Sequence, residues 1–462
     1  MYLENINKFT LPLASGVALA LGACSLVPTY ERPPAPVAAT YPDAATTAGA
    51  ATTVAADLDW HTYFVDERLR RLIATALDNN RDLRSAVLNV ERAQAQYRIQ
   101  GAARLPALNA VFNAQRQSVP PQLYTLGVGV TSWEIDFFGR IQSLKDAALA
   151  QYLSTAETRK AAQISLVAAV ANGYLGLLAD DESLHLTRET LASREQSLKL
   201  VQLRFDSGAT SELDLRQAQG LVEAARAALA QLERQRALDR NALTLLLGQS
   251  PGDDLPSGRP FSEQAGLLAE LPVGLPSELL TKRPDIRAAE QQLIAANANI
   301  GAARAAFYPR IALTTSVGLV SNDLNHLLTG NVGWSFVPQI VLPIFNAGAN
   351  QANLDVARIS RDLAVAQYEK AIQGAFREVA DALAGRATLA EQLRASRAQV
   401  DAAQATVRLS RLRYTNGVAS HLDLLDAERS LFATQQATVQ LQLAQMQNQV
   451  LLYKALGGGW KD

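Results

Sequence analysis

Arg204-Phe205-Asp206-Ser207-Gly208-Ala209-Thr210-Ser211-Glu212-Leu213-Asp214-Leu215 recurs about 209 residues downstream as Arg413-Tyr414-Thr415-Asn416-Gly417-Val418-Ala419-Ser420-His421-Leu422-Asp423-Leu424, which marks the chain as a tandem duplication. In each copy a helical pattern runs up to an aromatic residue and reaches a Gly suited to a left-handed C-cap. It restarts after a Ser able to N-cap the next helix. Each copy therefore reads as the tip of a helical hairpin.

Both approaches to the tips carry an apolar repeat of seven. Counting back from Phe205 gives Leu198, Leu191, Leu184, Leu177, Val170, Gln163, Ala156 and Leu149; from Tyr414 it gives Val407, Val400, Leu393, Arg386, Val379, Ile372 and Val365. Only Gln163 and Arg386 break the two series, so these are coiled-coil seams. No Pro lies between Pro121 and Pro251 or after Pro343, and nothing there forces a kink. Helices are expected from about 140 to 207 and from about 347 to 416, each on the order of 100 Å long at about 1.5 Å per residue. A rod of that length has to be a coiled coil or a stave of a larger assembly.

The net charge of −1, from 43 Lys and Arg against 44 Asp and Glu, implies no polyanion partner. The one Cys closes Leu21-Gly22-Ala23-Cys24 after the apolar run from Leu11 to Leu21, too short to span a bilayer as a helix and of signal-peptide length. The pattern resembles a bacterial lipobox, which implies cleavage before Cys24 and lipidation there with a covalent diacylglycerol and an N-acyl lipid. Ser25 rather than Asp follows it, and the resemblance then implies sorting to the outer membrane. The expected organisation is a signal peptide over 1–23, an extended lipidated tether rich in Pro, Ala and Thr over 24–58, a first repeat over 59–248, a connector over 249–276 and a second repeat over 277–462.

Each repeat also carries a stretch with a period of two. Leu108, Ala110 and Phe112 oppose Asn109, Val111 and Asn113; Leu126, Val128 and Val130 oppose Thr125, Gly127, Gly129 and Thr131. In the second copy Ile311, Leu313, Thr315, Val317 and Leu319 oppose Ala312, Thr314, Ser316 and Gly318, and Trp334, Phe336, Ile340 and Leu342 oppose Ser335, Val337, Gln339 and Val341. Four strands of about ten residues with one apolar face match transmembrane β-strands. On the strands alone a soluble antiparallel sheet is the better reading. The rods and the exported, lipidated N-terminus shift the balance to a membrane, where four strands cannot close a barrel and an open edge cannot sit in hydrocarbon. Several copies are then required. The connector, with Pro251, Pro256, Pro260, Pro272 and Pro276, is expected to fold against the middle of the rods.

Enzyme chemistry has no foothold in this sequence. The four His residues lack a metal-ligand partner at helical spacing, and Walker, dinucleotide and nucleophile-elbow motifs are absent. Two functions from different classes remain, a passive exit duct and a structural lipoprotein whose coiled coils span the periplasm. Two-faced strands favour the duct, because a spacer needs none.

Glu134-Ile135-Asp136-Phe137-Phe138-Gly139-Arg140, Lys282-Arg283-Pro284-Asp285-Ile286, Gly301-Ala302-Ala303-Arg304-Ala305-Ala306-Phe307-Tyr308-Pro309, Pro343-Ile344-Phe345 and Leu424-Leu425-Asp426-Ala427 resemble the outer-membrane factor (TolC-like) family, in its lipoprotein branch of multidrug efflux outlets. The resemblance implies a homotrimer, with a 12-stranded β-barrel in the outer membrane on a long α-barrel through the periplasm. It implies a periplasmic membrane-fusion adaptor and an inner-membrane resistance-nodulation-division pump as partners, with drugs and other small toxic compounds as cargo. Metal-ion efflux and protein secretion stay open as cargo alternatives. Matched to the family, Gly208, Ala209, Thr210, Ser211, Gly417, Val418, Ala419 and Ser420 become adaptor-docking tips. Leu422 and Asp426, one helical turn apart, become a periplasmic gate, with Arg413 and Tyr414 tying the closed tips to neighbouring helices. From spacing alone, Asp426 fits better as half of a surface ion pair with Arg429.

Overall fold

The computed structural model describes residues 25–41, 58–116, 122–252, 255–268, 271 and 276–460. Cys24 and the expected signal peptide lie outside them. The helices are α1 (Trp60–Tyr63), α2 (Glu67–Asn79), α3 (Arg81–Ala102), α4 (Arg140–Asp206), α5 (Glu212–Leu247), α6 (Pro276–Lys282), α7 (Pro284–Ala305), α8 (Ala349–Thr415) and α9 (His421–Ala455); the strands are β1 (Leu108–Gln115), β2 (Leu123–Glu134), β3 (Arg310–Ser321) and β4 (Asn331–Val341). The order helix, two strands, long helix, long helix occurs twice. The matching members are nearly equal in length: 22 residues for α3 and for α7, 67 for α4 and for α8, and 36 against 35 for α5 and α9.

The chain divides into two compact units, each drawn from both copies. One comprises Met1–Ala35, Val87–Glu157 and Arg287–Ala371, the other Pro36–Ala86, Thr158–Ile286 and Ile372–Asp462. In the first, the strands form one antiparallel sheet in the order β1-β2-β3-β4, so that each copy supplies a hairpin and the β2–β3 ladder joins the copies. Residues 25–35 run without regular structure along α7, held by Asn297 donating to the Pro28 carbonyl at 2.8 Å, Arg304 to the Leu26 carbonyl at 3.1 Å, and Arg32 to Glu290 at 2.7 Å. The described part of the expected tether is thus extended but docked.

In the second unit the seams are buried where the repeat of seven places them, at Leu184, Val170, Leu393, Val379 and Ile372. Gln163 is buried in the first seam too. Arg386 interrupts the second because it serves the connector, its guanidinium donating to the Leu271 carbonyl at 3.3 Å. Gln264 of the connector donates to Asp66 at 2.7 Å, and Gln442 of α9 donates to the Phe261 carbonyl at 3.3 Å, so the connector packs on the helices. Tyr63 stacks on Tyr453 at 4.0 Å. Arg283, 8% exposed, binds Asp285 at 2.6 Å, Glu378 at 2.9 Å and the Ala455 carbonyl at 2.8 Å. Loss of both carboxylates would leave a buried charge unpaired, which typically costs about 3–5 kcal/mol. One window of α4 is apolar enough to cross a membrane, but half of it is buried within the protein, as a packed seam requires.

Candidate functional site

Directly paired residues share a face of the sheet. The register Leu108↔Val130, Phe112↔Leu126, Val128↔Val317, Leu319↔Val332, Val317↔Trp334 and Ile311↔Ile340 gathers the large apolar residues of all four strands mainly on one side, with Val111, Leu123, Val320, Val337 and Val341 left on the other. That side is bare in the protomer: Trp334 is 81% exposed and Val332 75%. An apolar face this continuous marks a surface made for lipid or a partner. The other side carries Asn109, Asn113, Thr125, Gly127, Gly129, Ser316, Gly318, Ser335 and Gln339. A Cβ at Gly127 would lie 2.3 Å from the Val317 carbonyl oxygen and 2.6 Å from the Gly318 Cα, so this cross-strand pair admits no side chain.

At the base of the sheet, Ser132 takes φ 51° and the β2–β3 register shifts between Val130 and Trp133. The bulge returns Trp133 to the apolar face opposite Leu313, and Glu134 falls opposite Ala312. There Glu134 is nearly buried and ion-paired to Arg140 at 2.7 Å and Arg310 at 2.7 Å. It fastens the end of β2 to the first residues of α4 and β3. Plain alternation could not foretell this re-aiming.

The two hairpin tips share one backbone. Gly208 and Gly417 have φ 71° and 72°. The following residues close the preceding helices with Ala209 N–H to Arg204 carbonyl at 2.7 Å and Val418 N–H to Arg413 carbonyl at 2.9 Å, the Schellman pattern that favours Gly. Ser211 and Ser420 N-cap α5 and α9 in capping boxes with Asp214 and Asp423, and Thr210 adds a bond to Asp214 at 2.8 Å. Val418 is exposed and Ala419 half-buried.

Around these backbones the side chains differ. Leu422 is 44% exposed, and the exposed Asp426 is paired with Arg429 at 2.9 Å, the surface pair anticipated from spacing. Such pairs contribute about 0–1 kcal/mol. Tyr414 is hydrogen-bonded within the protomer, and the guanidinium that reaches it is that of Arg204 from the first copy. It donates to the phenolic oxygen at 2.9 Å and lies 5.2 Å from the ring centroid, whereas Arg413 is exposed. A second cross-link between the copies is Arg194, which donates to the Leu221 carbonyl at 3.1 Å and lies over Phe432 at 5.2 Å. His421 is buried against Tyr414, ring centroids 5.1 Å apart. The sequence reading missed Arg204 and His421; the signal was the duplicated motif itself, whose two copies put an Arg at matching places and a His where the other has Glu212.

Between α4 and α5, Asp180 is 8% exposed and its Oδ2 finds no donor. Burial and then the Asp239 carboxylate push its pKa up to about 7. Asp181 beside it is ion-paired with Arg236. Among the described residues no group of three or more His, Cys, Asp and Glu could hold a metal ion.

A sheet with a bare apolar face and a small polar face, joined to paired helical hairpins, defines an outer-membrane channel subunit of the TolC-like kind. The family model for outer membrane efflux proteins matches residues 72–249 and 275–458, and the chain belongs to that family. It is an outer-membrane efflux duct and not an enzyme. The antibiotic efflux pump outer membrane protein ArpC of Pseudomonas putida is 48% identical over 99% of this chain and 97% of its own length. The toluene efflux pump outer membrane protein TtgC, also of Pseudomonas putida, matches to the same extent, with 48% identity over 99% of this chain and 97% of its own. Among solved structures, the open state of the Neisseria gonorrhoeae MtrE outer membrane channel superposes with TM-score 0.87 at 42% identity, covering 95% of this chain and 99% of that one.

Proposed function

We propose that three copies of this chain close a 12-stranded barrel and form the passive outer-membrane exit of a tripartite efflux system. The observation that carries this is the four-stranded sheet of one protomer, which pairs β1 and β4 on one side only and leaves its apolar face bare. Unpaired edges cannot lie in hydrocarbon, so the edge strands of different copies must pair. Cys residues placed on β1 and β4 should cross-link purified protein into a ladder that ends at three chains, and the same protein should conduct in planar bilayers. A ladder ending at two, or protein that never conducts with its tips opened by substitution, would refute the duct and favour a structural lipoprotein.

The cargo we infer is drugs and small toxic solutes, in line with the antibiotic and toluene named for ArpC and TtgC. Substrate choice rests with a resistance-nodulation-division pump, which delivers through a periplasmic adaptor. The tips at Gly208, Ala209, Thr210, Ser211 and Gly417, Val418, Ala419, Ser420 are the docking points for that adaptor. Small residues on exposed, rigidly capped turns permit close backbone approach. Bulky substitutions at Ala209 and Ala419 should raise drug sensitivity at unchanged trimer level; unchanged resistance would remove the docking assignment.

Leu422 and Asp426 form the gate in this reading, each a ring of three. Their exposure in the protomer supports it, since a gate residue has to face the lumen. Lipidation of Cys24 is supported by the docked strap. Leu26, two residues on, is held by Arg304 near the end of α7, and β3 starts at Arg310. Cys24→Ser should abolish palmitate labelling and leave trimers largely intact, because a single acyl anchor adds little to barrel insertion.

A further inference from the structure

We propose that His421 makes the second hairpin tip proton-sensitive, its neutral imidazole holding the two hairpins together and its protonation releasing them. The inference rests on the gate reading, since His421 precedes Leu422. His421 is the first residue of α9, 5% exposed, and neither Nδ1 nor Nε2 has a hydrogen-bond partner. It is packed on Tyr414, which is itself held by Arg204.

The ionisable groups facing the ring are Arg204 from α4, Asp214 from α5, Tyr414 from α8 and Glu428 from α9. Both carboxylates are engaged elsewhere. Asp214 accepts from Thr210 and Ser211, and Glu428 accepts from Arg411 at 2.9 Å. A cation at this position would also meet the positive end of the α9 dipole and the Arg204 charge. A protonated imidazole, with two charged donors to satisfy, would find partners only by drawing Asp214 from its capping box, drawing Glu428 from Arg411, or turning out to water. The first undoes the N-cap of α5, the second breaks the pair between α8 and α9, and the third lifts the ring from Tyr414, through which Arg204 ties the second hairpin to the first; turning out to water is the route that releases the hairpins.

Burial holds His421 below its ordinary value of 6.5 in the packed tip. The released tip, exposing the ring, takes up the proton at the ordinary value. The packed form is therefore fully favoured above about 6.5 and loses ground as pH falls through it, by at most about tenfold per pH unit for each protomer. The loss ends once pH drops below the packed-state value.

The test is open probability of the full-length protein in planar bilayers, with the tip side taken from pH 8 to pH 5. Wild type should open several-fold more often across the acidic half of that range. His421→Phe, which keeps the ring on Tyr414 and cannot titrate, should be flat. His421→Gln serves if the Phe variant fails to assemble. Asp214→Asn removes a carboxylate that favours the cation and should move the response to lower pH. A response of equal size in wild type and in either neutral variant overturns the proposal, as does a wild type insensitive to pH. A response lost in Asp180→Asn but kept in His421→Phe assigns it to the Asp180–Asp239 pair and also overturns it. Failure of the gate reading shows separately, as unchanged conductance at pH 8 when Leu422 and Asp426 are both replaced by Ala.

Discussion

The two hairpin tips share the backbone of their Gly cap, turn and Ser N-cap, yet the second alone carries a buried imidazole and a tyrosine held by an arginine of the other copy. In the first, the position matching His421 is Glu212, exposed and paired along its own helix with Arg216 at 3.1 Å, and Phe205 stands in place of Tyr414. Duplication thus supplied one backbone device twice. Divergence of a few side chains made the first tip a self-contained surface turn and left the second dependent on contacts from the other copy. The mobile element is expected to be the one whose closure rests on such replaceable contacts, while the caps of both stay fixed.

The sharpest test replaces Leu422 and Asp426 together by Ala and compares this with Leu213→Ala and Gln217→Ala in the first copy. Single-channel conductance should rise several-fold in the former and change little in the latter; equal effects would dissolve the asymmetry. Next in size, Arg204→Ala removes both the hydrogen bond and the cation–π contact to Tyr414, worth about 1–3 kcal/mol together. It should speed amide exchange at the second tip, whereas Arg413→Ala should not. Loss of the caps should be symmetrical: Ser211→Ala and Ser420→Ala each cost about 1 kcal/mol, read as matched loss of protection in the first turns of α5 and α9. The smallest effect concerns the shaft of the first hairpin. Asp180 prefers its protonated form when folded, so it costs stability as pH rises from its ordinary value of 3.8 to about 7, with no further loss above that. Asp180→Asn should then raise the melting temperature by a few degrees at pH 8, by less at pH 5, and leave it nearly unchanged at pH 3.

Much of this was legible in the chain. Gly208, Gly417, Ser211 and Ser420 act through neighbours within five residues, and local chemistry is what a motif records. The strand faces followed from alternation, and the long helices from the repeat of seven. Three features escaped because they depend on more than local pattern. The Ser132 bulge decides which face Trp133 takes, and alternation alone cannot reveal a φ of 51°. The Arg204–Tyr414 tie joins positions about 210 residues apart, and nothing in either copy announces that the Arg of one serves the aromatic of the other. The burial of Asp180 against Asp239 needed the pairing of α4 with α5 in three dimensions, and its residues read otherwise as ordinary polar helix surface.

The β2–β3 ladder pairs Tyr124 with Ser321 and Val130 with Thr315, strands separated by the whole first hairpin, the connector, α6 and α7. Contacts so distant in sequence form late, after the local helical ones. A newly exported chain must then pass through a stage in which its helices are folded while its strands are unpaired, apolar and wet. Even once the sheet is complete, two edges remain open, each a template for adventitious pairing. The lifetime of that stage is governed by encounters among three chains, so yield should depend steeply on how fast copies reach the membrane. Under slow delivery, the time each chain spends with open strand edges, more than the stability of the finished channel, should limit the yield of ducts.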